Sequence, residues 1–254
     1  MGAISEQDIV TLCGQVGTIL LENGAETARV ENTVEYIGRA VKLPVVCHAT
    51  MTGIFVSSEK SAATRIFKVR VGDFNLQKVD EINTLSRQFS RHEITYEELK
   101  KEVHRVDTET LDFSWITKCI GAGLVSMPPM LLFKATWGDL FWAFFVGILG
   151  YVASQIVGHH TKTPYIAVAI GSLVISMFAH ILGVTGIAND ANYVIISALM
   201  PLVPGVPMTN SLREIIEKNT ISGLVRATDA VVSGISIGSG VIIGQILIKS
   251  ILGG

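Results

Sequence analysis

The chain has 254 residues, of which 49% are hydrophobic and only 17% are charged, against about 25% charged residues in an average soluble domain. The charge is divided unevenly, since residues 1–112 hold 13 of the 20 Lys and Arg and 17 of the 22 Asp and Glu, whereas residues 113–254 hold 7 and 5. This distribution excludes a wholly soluble protein, the three widely spaced cysteines exclude a disulfide-rich secreted scaffold, and a pI of about 6.3 without a basic stripe excludes a nucleic-acid partner.

Residues 1–112 predict a small α+β domain. Apolar residues at helical spacing predict four helices, at about 9–20, 25–41, 76–89 and from residue 95 onward. Asn23 and Gly24 end the first of these helices, and Thr95 with Glu98 forms the capping box that opens the last. Three short β-branched segments predict strands at 45–49, 51–57 and 64–71. About 110 residues are enough to bury an independent core.

Residues 113–254 predict an α-helical polytopic membrane domain with about five transmembrane helices. The expected spans are residues 115–133, 140–157, 165–184, 193–208 and 230–251. Four of them have about 18 to 22 residues, enough to cross a hydrocarbon core about 30 Å thick, whereas the fourth has about 16. Lys and Arg are concentrated before the first span and after the fourth, which indicates a cytoplasmic N-terminus.

The fourth predicted span carries the strongest functional signal. Pro201, Pro204 and Pro207 cannot continue a regular helix, because each lacks a backbone donor and clashes with the preceding turn. The freed carbonyls need a protein-lined or wet cavity, and transporters place substrate sites at such broken helices. Gly205 would let backbone or ligand approach closely. The alternative is a proline-terminated span followed by an ordinary cytoplasmic helix.

The residues after this break would complete a substrate site. Ser211 and Glu214 have capping-box spacing, so we expect a new helix to begin at Asn210 or Ser211 with its N–H groups facing the break. Arg213 is unfavourable in a first turn unless it pairs with an anionic ligand, and Arg226 could hold a second carboxylate. The predicted substrate-binding residues are Pro204, Gly205, Thr209, Asn210, Arg213 and Arg226.

Further residues are candidates for gating or coupling. Arg226 and Asp229 lie three residues apart and could pair, either as a proton-responsive gate or as an ordinary interfacial ion pair. Adjacent prolines after Ser126 predict a kink in the first span, which either borders the cavity or serves packing. The gating or coupling candidates are Glu214, Asp229, Ser126 and Pro128.

Small residues also pattern the last span. Gly234 with Gly238, and Gly240 with Gly244, form two GxxxG pairs that would allow close helix packing. The alternative is that Gly238 or Ser239 lines a substrate path.

The N-terminal domain carries a polar motif at the start of its second predicted helix, where Glu26 and Arg29 lie one turn apart. Spacing alone favours a solvated ion pair at a capped helix start. The sequence has no phosphate-binding loop, nucleophile elbow or zinc-protease motif, so we expect a transporter rather than an enzyme, with no cofactor and no metal. A membrane-anchored hydrolase using Glu22, Glu26 and His48, or a sensor, remains the alternative. The residues of this motif are Asn23, Glu26, Arg29 and Glu31.

Four segments together resemble the threonine/serine exporter family: residues 21–31, 79–87, 201–210 and 222–226. Full-length members join a cytoplasmic domain to about ten spans, so a chain with about five resembles the short, split-subunit form, a group that includes a two-component bacterial succinate exporter. The resemblance implies export of a small carboxylate metabolite, threonine or serine or a short dicarboxylate, across the bacterial inner membrane. It also implies a second small membrane subunit as partner, in a hetero- or homo-oligomer.

Overall fold

The computed structural model describes residues 5–70, 74–109, 113–132, 136–161 and 163–252. The chain divides into two compact units, the first comprising Met1–Leu111 with Val206–Ala227 and the second Asp112–Gly205 with Thr228–Gly254. The predicted division after residue 112 falls at a position outside the described residues. The units differ from that prediction in one respect, because Val206–Ala227 belongs with the N-terminal residues rather than with the membrane spans.

The N-terminal part of the first unit has the predicted α+β composition. Its helices are α1 (Glu6–Glu22), α2 (Thr27–Ala40), α3 (Leu76–Ser90) and α4 (Tyr96–Thr108), and its strands are β1 (Val45–Thr50), β2 (Gly53–Ser58) and β3 (Thr64–Lys68). The strands form an antiparallel sheet in the order β1-β2-β3, with Val45 opposite Ser58 and Gly53 opposite Lys68. Apolar side chains from all four helices and from β1 and β2 form one buried cluster beside the sheet.

The capping box predicted at the start of α4 is confirmed. Thr95 Oγ1 accepts a hydrogen bond from the Glu98 amide, and the Glu98 carboxylate accepts one from the Thr95 amide at 2.7 Å. These hydrogen bonds favour the ionised carboxylate and lower the pKa of Glu98. The start of this helix could therefore be predicted from residues 95–98 alone.

In the described part of the chain, seven helices follow residue 113, and several of them, alone or joined, have the length and composition of membrane spans. They are α5 (Trp115–Val125), α6 (Pro128–Leu132), α7 (Trp137–His160), α8 (Pro164–Val184), α9 (Ala191–Ala198), α10 (Gly205–Ile216) and α11 (Thr220–Leu252). Within the described ranges, four stretches could cross a membrane, or five if the bent pair of α9 and α10 counts as one span. Phe133, the predicted end of the first span, lies outside the described residues. The protein is a polytopic helical membrane protein with an N-terminal α+β unit.

The fourth predicted span is broken, and the break lies at Val203 and Pro204. A short 3₁₀ turn, Met200–Leu202, follows α9 and contains Pro201, and the chain bends by 66° before α10 begins at Gly205. The prediction that the new helix begins at Asn210 or Ser211 is therefore wrong. Pro207 is accommodated in the first turn of α10, because N–H groups in a first turn have no intrahelical acceptor to lose.

Close packing of α8 against α11 explains one of the two GxxxG pairs. A Cβ atom placed on Gly240 would lie 2.1 Å from the Ala169 carbonyl oxygen, and one on Gly244 would lie 2.8 Å from the Leu173 carbonyl oxygen. Gly234 and Gly238 have open space at the same position. The packing prediction is thus confirmed for the second pair, whereas packing at the first pair, which meets no atom among the described residues, stays a prediction.

Candidate functional site

The site begins at the turn between α1 and α2. Gly24 adopts φ +96°. Its amide donates a hydrogen bond to the Leu21 carbonyl, and the Ala25 amide donates one to the Leu20 carbonyl at 3.0 Å. Together these features make a Schellman motif. The predicted helix end at Asn23 and Gly24 is thereby confirmed. Helix α2 then starts at Thr27 with no side chain of its own as a cap, so its first amides need other acceptors.

Glu214, from α10, supplies that acceptor. Its Oε1 atom accepts a hydrogen bond from the Thr27 amide at 3.0 Å, across 187 residues of sequence. Both residues are buried, and a carboxylate at a helix N-terminus is stabilised by the helix dipole. The carboxylate predicted to cap its own helix therefore caps α2 instead.

Arg226 completes a buried ion pair with this carboxylate. Its Nε donates to Glu214 Oε1 at 3.2 Å, and its Nη2 donates to the Ala25 carbonyl at 2.7 Å. Such a pair is stable only where hydrogen bonds satisfy the remaining polar atoms, because both charges have lost their hydration. The Ala25 carbonyl and the Thr27 amide supply part of that requirement. Glu214 Oε2 and Thr27 Oγ1 are buried with no partner among the described residues.

A second, more exposed pair lies on the same turn. Arg213 Nη1 donates to Glu26 Oε1, with the side chains 55% and 13% exposed, and Asn210 Nδ2 donates to the Gly24 carbonyl at 3.0 Å. Three residues predicted to contact substrate, Asn210, Arg213 and Arg226, thus all bind groups of the α1–α2 turn. The structure brings them together, but on protein partners.

The other predicted substrate-binding residues lie at or just after the break. Gly205 is exposed, and a Cβ atom placed on it would meet nothing within 4 Å among the described residues, so close approach of a ligand there stays a prediction. Pro204 precedes the helix and is half-buried, and Thr209 Oγ1 donates to the Val206 carbonyl. Ser211 donates to the Met208 carbonyl at 2.8 Å and forms no capping box with Glu214.

The gating candidates have separate partners. The Asp229 carboxylate accepts a hydrogen bond from the Tyr165 hydroxyl at 2.9 Å, while Arg226 binds Glu214, so the predicted pairing of Arg226 with Asp229 is wrong. Ser126 is fully buried and donates to the Ala122 carbonyl, next to the Cα of Gly147. Pro128 is the first residue of α6. This arrangement favours the packing interpretation of the kink in the first span.

The N-terminal motif residues are distributed around the same turn. Asn23 caps α1 by donating to the Ile19 carbonyl, and Glu31 accepts the Ala49 amide at 2.9 Å and lies 3.3 Å from His48 Nδ1. The expected solvated pair of Glu26 with Arg29 is not formed, because Glu26 binds Arg213. Glu22 accepts a hydrogen bond from the Arg70 amide. The three acid–base candidates of the hydrolase alternative, Glu22, Glu26 and His48, therefore each bind a different group.

Two features escaped sequence reasoning. The first is the Glu214–Arg226 pair, whose members lie on different helices with no spacing signal. The second is Asp139 in α7, which is buried and accepts the Asn189 amide at 2.8 Å. The available sequence signal for Asp139 was a helix-capping motif with Thr136, because Thr136 Oγ1 accepts a hydrogen bond from the Asp139 amide.

This chain is similar to known proteins over most of its length. The model of a family described as "Putative threonine/serine exporter" matches residues 11–248. A protein of Klebsiella aerogenes named "Probable succinate transporter subunit YjjP" is 23% identical over 227 residues, covering 87% of each chain. The protein of the same name from Escherichia coli K12 is 20% identical over 225 residues, again covering 87% of each. No solved structure matches.

Proposed function

Since the chain belongs to the threonine/serine exporter family, we propose that it is a subunit of a secondary exporter. The cargo is a small carboxylate metabolite, threonine or serine or a short dicarboxylate such as succinate, and it leaves the cytoplasm across the bacterial inner membrane. In this arrangement the N-terminal unit is cytoplasmic and contributes binding rather than catalytic turnover. The family match and the relatives named as succinate transporter subunits support this proposal.

The ion pair of the exposed Arg213 side chain with Glu26 is the observation that carries the proposal. A substrate carboxylate has the same chemistry as the Glu26 side chain and can take its place on the guanidinium. The Arg213 side chain is 55% exposed, so a carboxylate from solution can reach its guanidinium. Thr209 and Asn210 lie on the same helix, within four residues of Arg213, and offer further polar groups.

Arg226 takes a different role from the one expected of it. Its guanidinium is buried and already binds Glu214 and the Ala25 carbonyl, so it holds the turn in place instead of meeting the substrate. The α10 segment is therefore fixed on the α1–α2 turn through a buried pair and offers a second, exchangeable arginine.

The broken helix before α10 supports transport by alternating access. Transporters interrupt a span where backbone groups must meet a substrate or a moving partner, and irregular backbone is tolerated only against protein or water. Val203 and Pro204 provide such an interruption directly before the helix that carries Arg213. With four or five spans the chain needs a second small membrane subunit, as the word "subunit" in the names of both relatives suggests.

Flux in reconstituted vesicles tests the proposal. The chain would be co-expressed with a second small membrane subunit and reconstituted into vesicles loaded in parallel with labelled threonine, labelled serine or labelled succinate. We expect efflux of at least one of the three that accelerates under an imposed ion gradient and collapses with an ionophore. Absence of flux for threonine, serine and succinate, with both subunits present and folded, would overturn it.

A further inference from the structure

A polar cleft of about 320 Å³ lies in the first unit, against α2 and α3. Its volume is at the lower end of the range for small-molecule sites, about 300–1,000 Å³. Two of the four segments that carry the family resemblance, residues 21–31 and 79–87, supply most of its lining. The residues that line it include Arg29, Asn32, Thr33, Asn83, Ser86 and Arg87.

The floor of the cleft consists of hydroxyl and amide groups. Thr33 and Ser86 are buried, and Thr33 Oγ1 lies 3.4 Å from Asn83 Oδ1. Thr33 also donates to the Arg29 carbonyl at 2.8 Å, and Ser86 donates to the Asn83 carbonyl at 2.9 Å. Neutral polar groups of this kind orient a small ligand without setting its charge.

The charges around the cleft set the ligand's charge. Arg29 and Arg87 are exposed and form no ion pair among the described residues, whereas Arg39 and Arg105 of the same unit each bind a carboxylate. A guanidinium binds a carboxylate through two parallel hydrogen bonds, so two such groups on one cleft favour an anionic group.

The cleft also has an acidic side, lined by Glu26 and Glu217. Glu26 is neutralised by Arg213, but Glu217 has no ion pair among the residues that the structure describes. A second carboxylate of a dicarboxylate would meet like charge there, whereas an ammonium group would be attracted. The arrangement of two cations and one available anion therefore matches a zwitterion.

We propose that this cleft binds a small α-amino acid, with its carboxylate on Arg29 and Arg87 and its ammonium group directed to Glu217. Arg213 does not itself line the cleft, although it binds the lining residue Glu26, and the proposal concerns binding to the N-terminal unit whatever the exported cargo is. It goes beyond the proposed function, because ligand binding alone tests it and no measurement of flux is needed.

Equilibrium dialysis on the purified full-length chain tests the cleft. The probes are labelled threonine, labelled serine and labelled succinate, each at micromolar to millimolar concentration. We expect Arg29→Gln and Arg87→Gln each to weaken amino acid binding about tenfold or more, the usual effect of losing a charged hydrogen bond. Arg91→Gln is the matched control, since Arg91 directly follows the helix that carries Arg87 but pairs with Glu93 outside the cleft, and it should leave binding unchanged.

Glu217→Gln separates the two ligand classes. It should weaken threonine and serine binding while leaving succinate binding unchanged or tighter. Thermal melting of each variant establishes that it is folded, and Arg87→Lys, which keeps the charge but loses the fork, should bind with intermediate strength.

Three results would overturn the proposal. They are no binding of threonine or serine by the wild-type chain, tighter binding of succinate than of either amino acid, or binding that survives Arg29→Gln and Arg87→Gln but is lost in Arg213→Ala. The last result would assign the bound ligand to the proposed export site and would leave the proposed function standing. Loss of amino acid binding in the cleft variants, together with no flux of any cargo, would support the cleft proposal and overturn the proposed function.

Discussion

Arg226 Nε donates a hydrogen bond to Glu214 Oε1 at 3.2 Å, and the two side chains are 2% and 0% exposed. This pair joins the start of α11 to α10, and through the Thr27 amide and the Ala25 carbonyl it joins both to the α1–α2 turn. The segment that follows the broken helix is thereby part of the N-terminal unit's buried structure.

Removing one member of this pair should destabilise the protein severely. Arg226→Ala leaves the Glu214 carboxylate buried and uncompensated, and a broken buried pair costs about 3–5 kcal/mol. Thermal and denaturant unfolding of the purified protein in detergent would measure the loss. Arg39→Ala, which breaks a surface pair with Glu35, should cost no more than about 1 kcal/mol and serves as the control. Equal effects of the two changes would contradict the prediction.

Arg213→Ala should separate function from stability. The Arg213 side chain is 55% exposed whereas that of Arg226 is 2% exposed, so we expect Arg213→Ala to lower the unfolding free energy much less than Arg226→Ala and to abolish nearly all efflux in vesicles. Glu26→Gln should act in the opposite direction, lowering the half-saturating substrate concentration, because the competing carboxylate is gone. Unchanged efflux in Arg213→Ala would remove this arginine from the substrate path.

Gly24→Ala should destabilise the α1–α2 turn. The φ of +96° disfavours any Cβ by about 1 kcal/mol or more, and the new atom would lie 2.3 Å from the Phe74 ring. Gly205→Ala, with open space around its Cβ, is the control and should melt like the wild type. Comparable melting of Gly24→Ala and wild type would refute the assigned role of the turn.

Two glycines on one helix provide a matched pair in the second unit. Gly240→Ala would place a methyl group 2.1 Å from a backbone oxygen of α8, which cannot move aside as a side-chain tip can, so we expect poor folding and low yield. Gly238→Ala, two residues earlier on α11, meets no atom within 4 Å and should be tolerated. Yield and melting temperature in detergent would measure both. Similar behaviour of the two variants would count against close packing of α8 and α11.

Cys13 and Cys47 should resist alkylation in the folded protein. Burial raises the pKa of each thiol from 9.0 to about 12, so at pH 8 the reactive thiolate is a very small fraction of either residue. Iodoacetamide labelling followed by mass spectrometry should modify both only after denaturation. A cysteine introduced at exposed Ser61 should react at once and confirm the reagent. Rapid labelling of Cys13 in the native protein would show that the core around α1 is open.

Local features of the fold could be read from the sequence. The end of α1 at Gly24 follows from a conformation that glycine adopts at low cost, and the break at Val203 and Pro204 follows from prolines that cannot continue a helix. The membrane spans follow from length and apolar composition. Each depends on residues close together in the chain, where geometry and solvation are set locally.

Partner choice was decided only by the tertiary structure. Sequence spacing placed Glu214 as a cap for its own helix and Arg226 opposite Asp229, yet the fold brings Glu214 and Arg226 together on the amide and carbonyl of a turn about 190 residues away. Arg213 likewise binds Glu26, and within the part of the chain that the structure describes, one of the two GxxxG pairs meets a neighbouring helix while the other does not. A buried charge pairs with the group that the packing of distant segments places beside it. A rule based on local spacing contains no information about which distant segments come together.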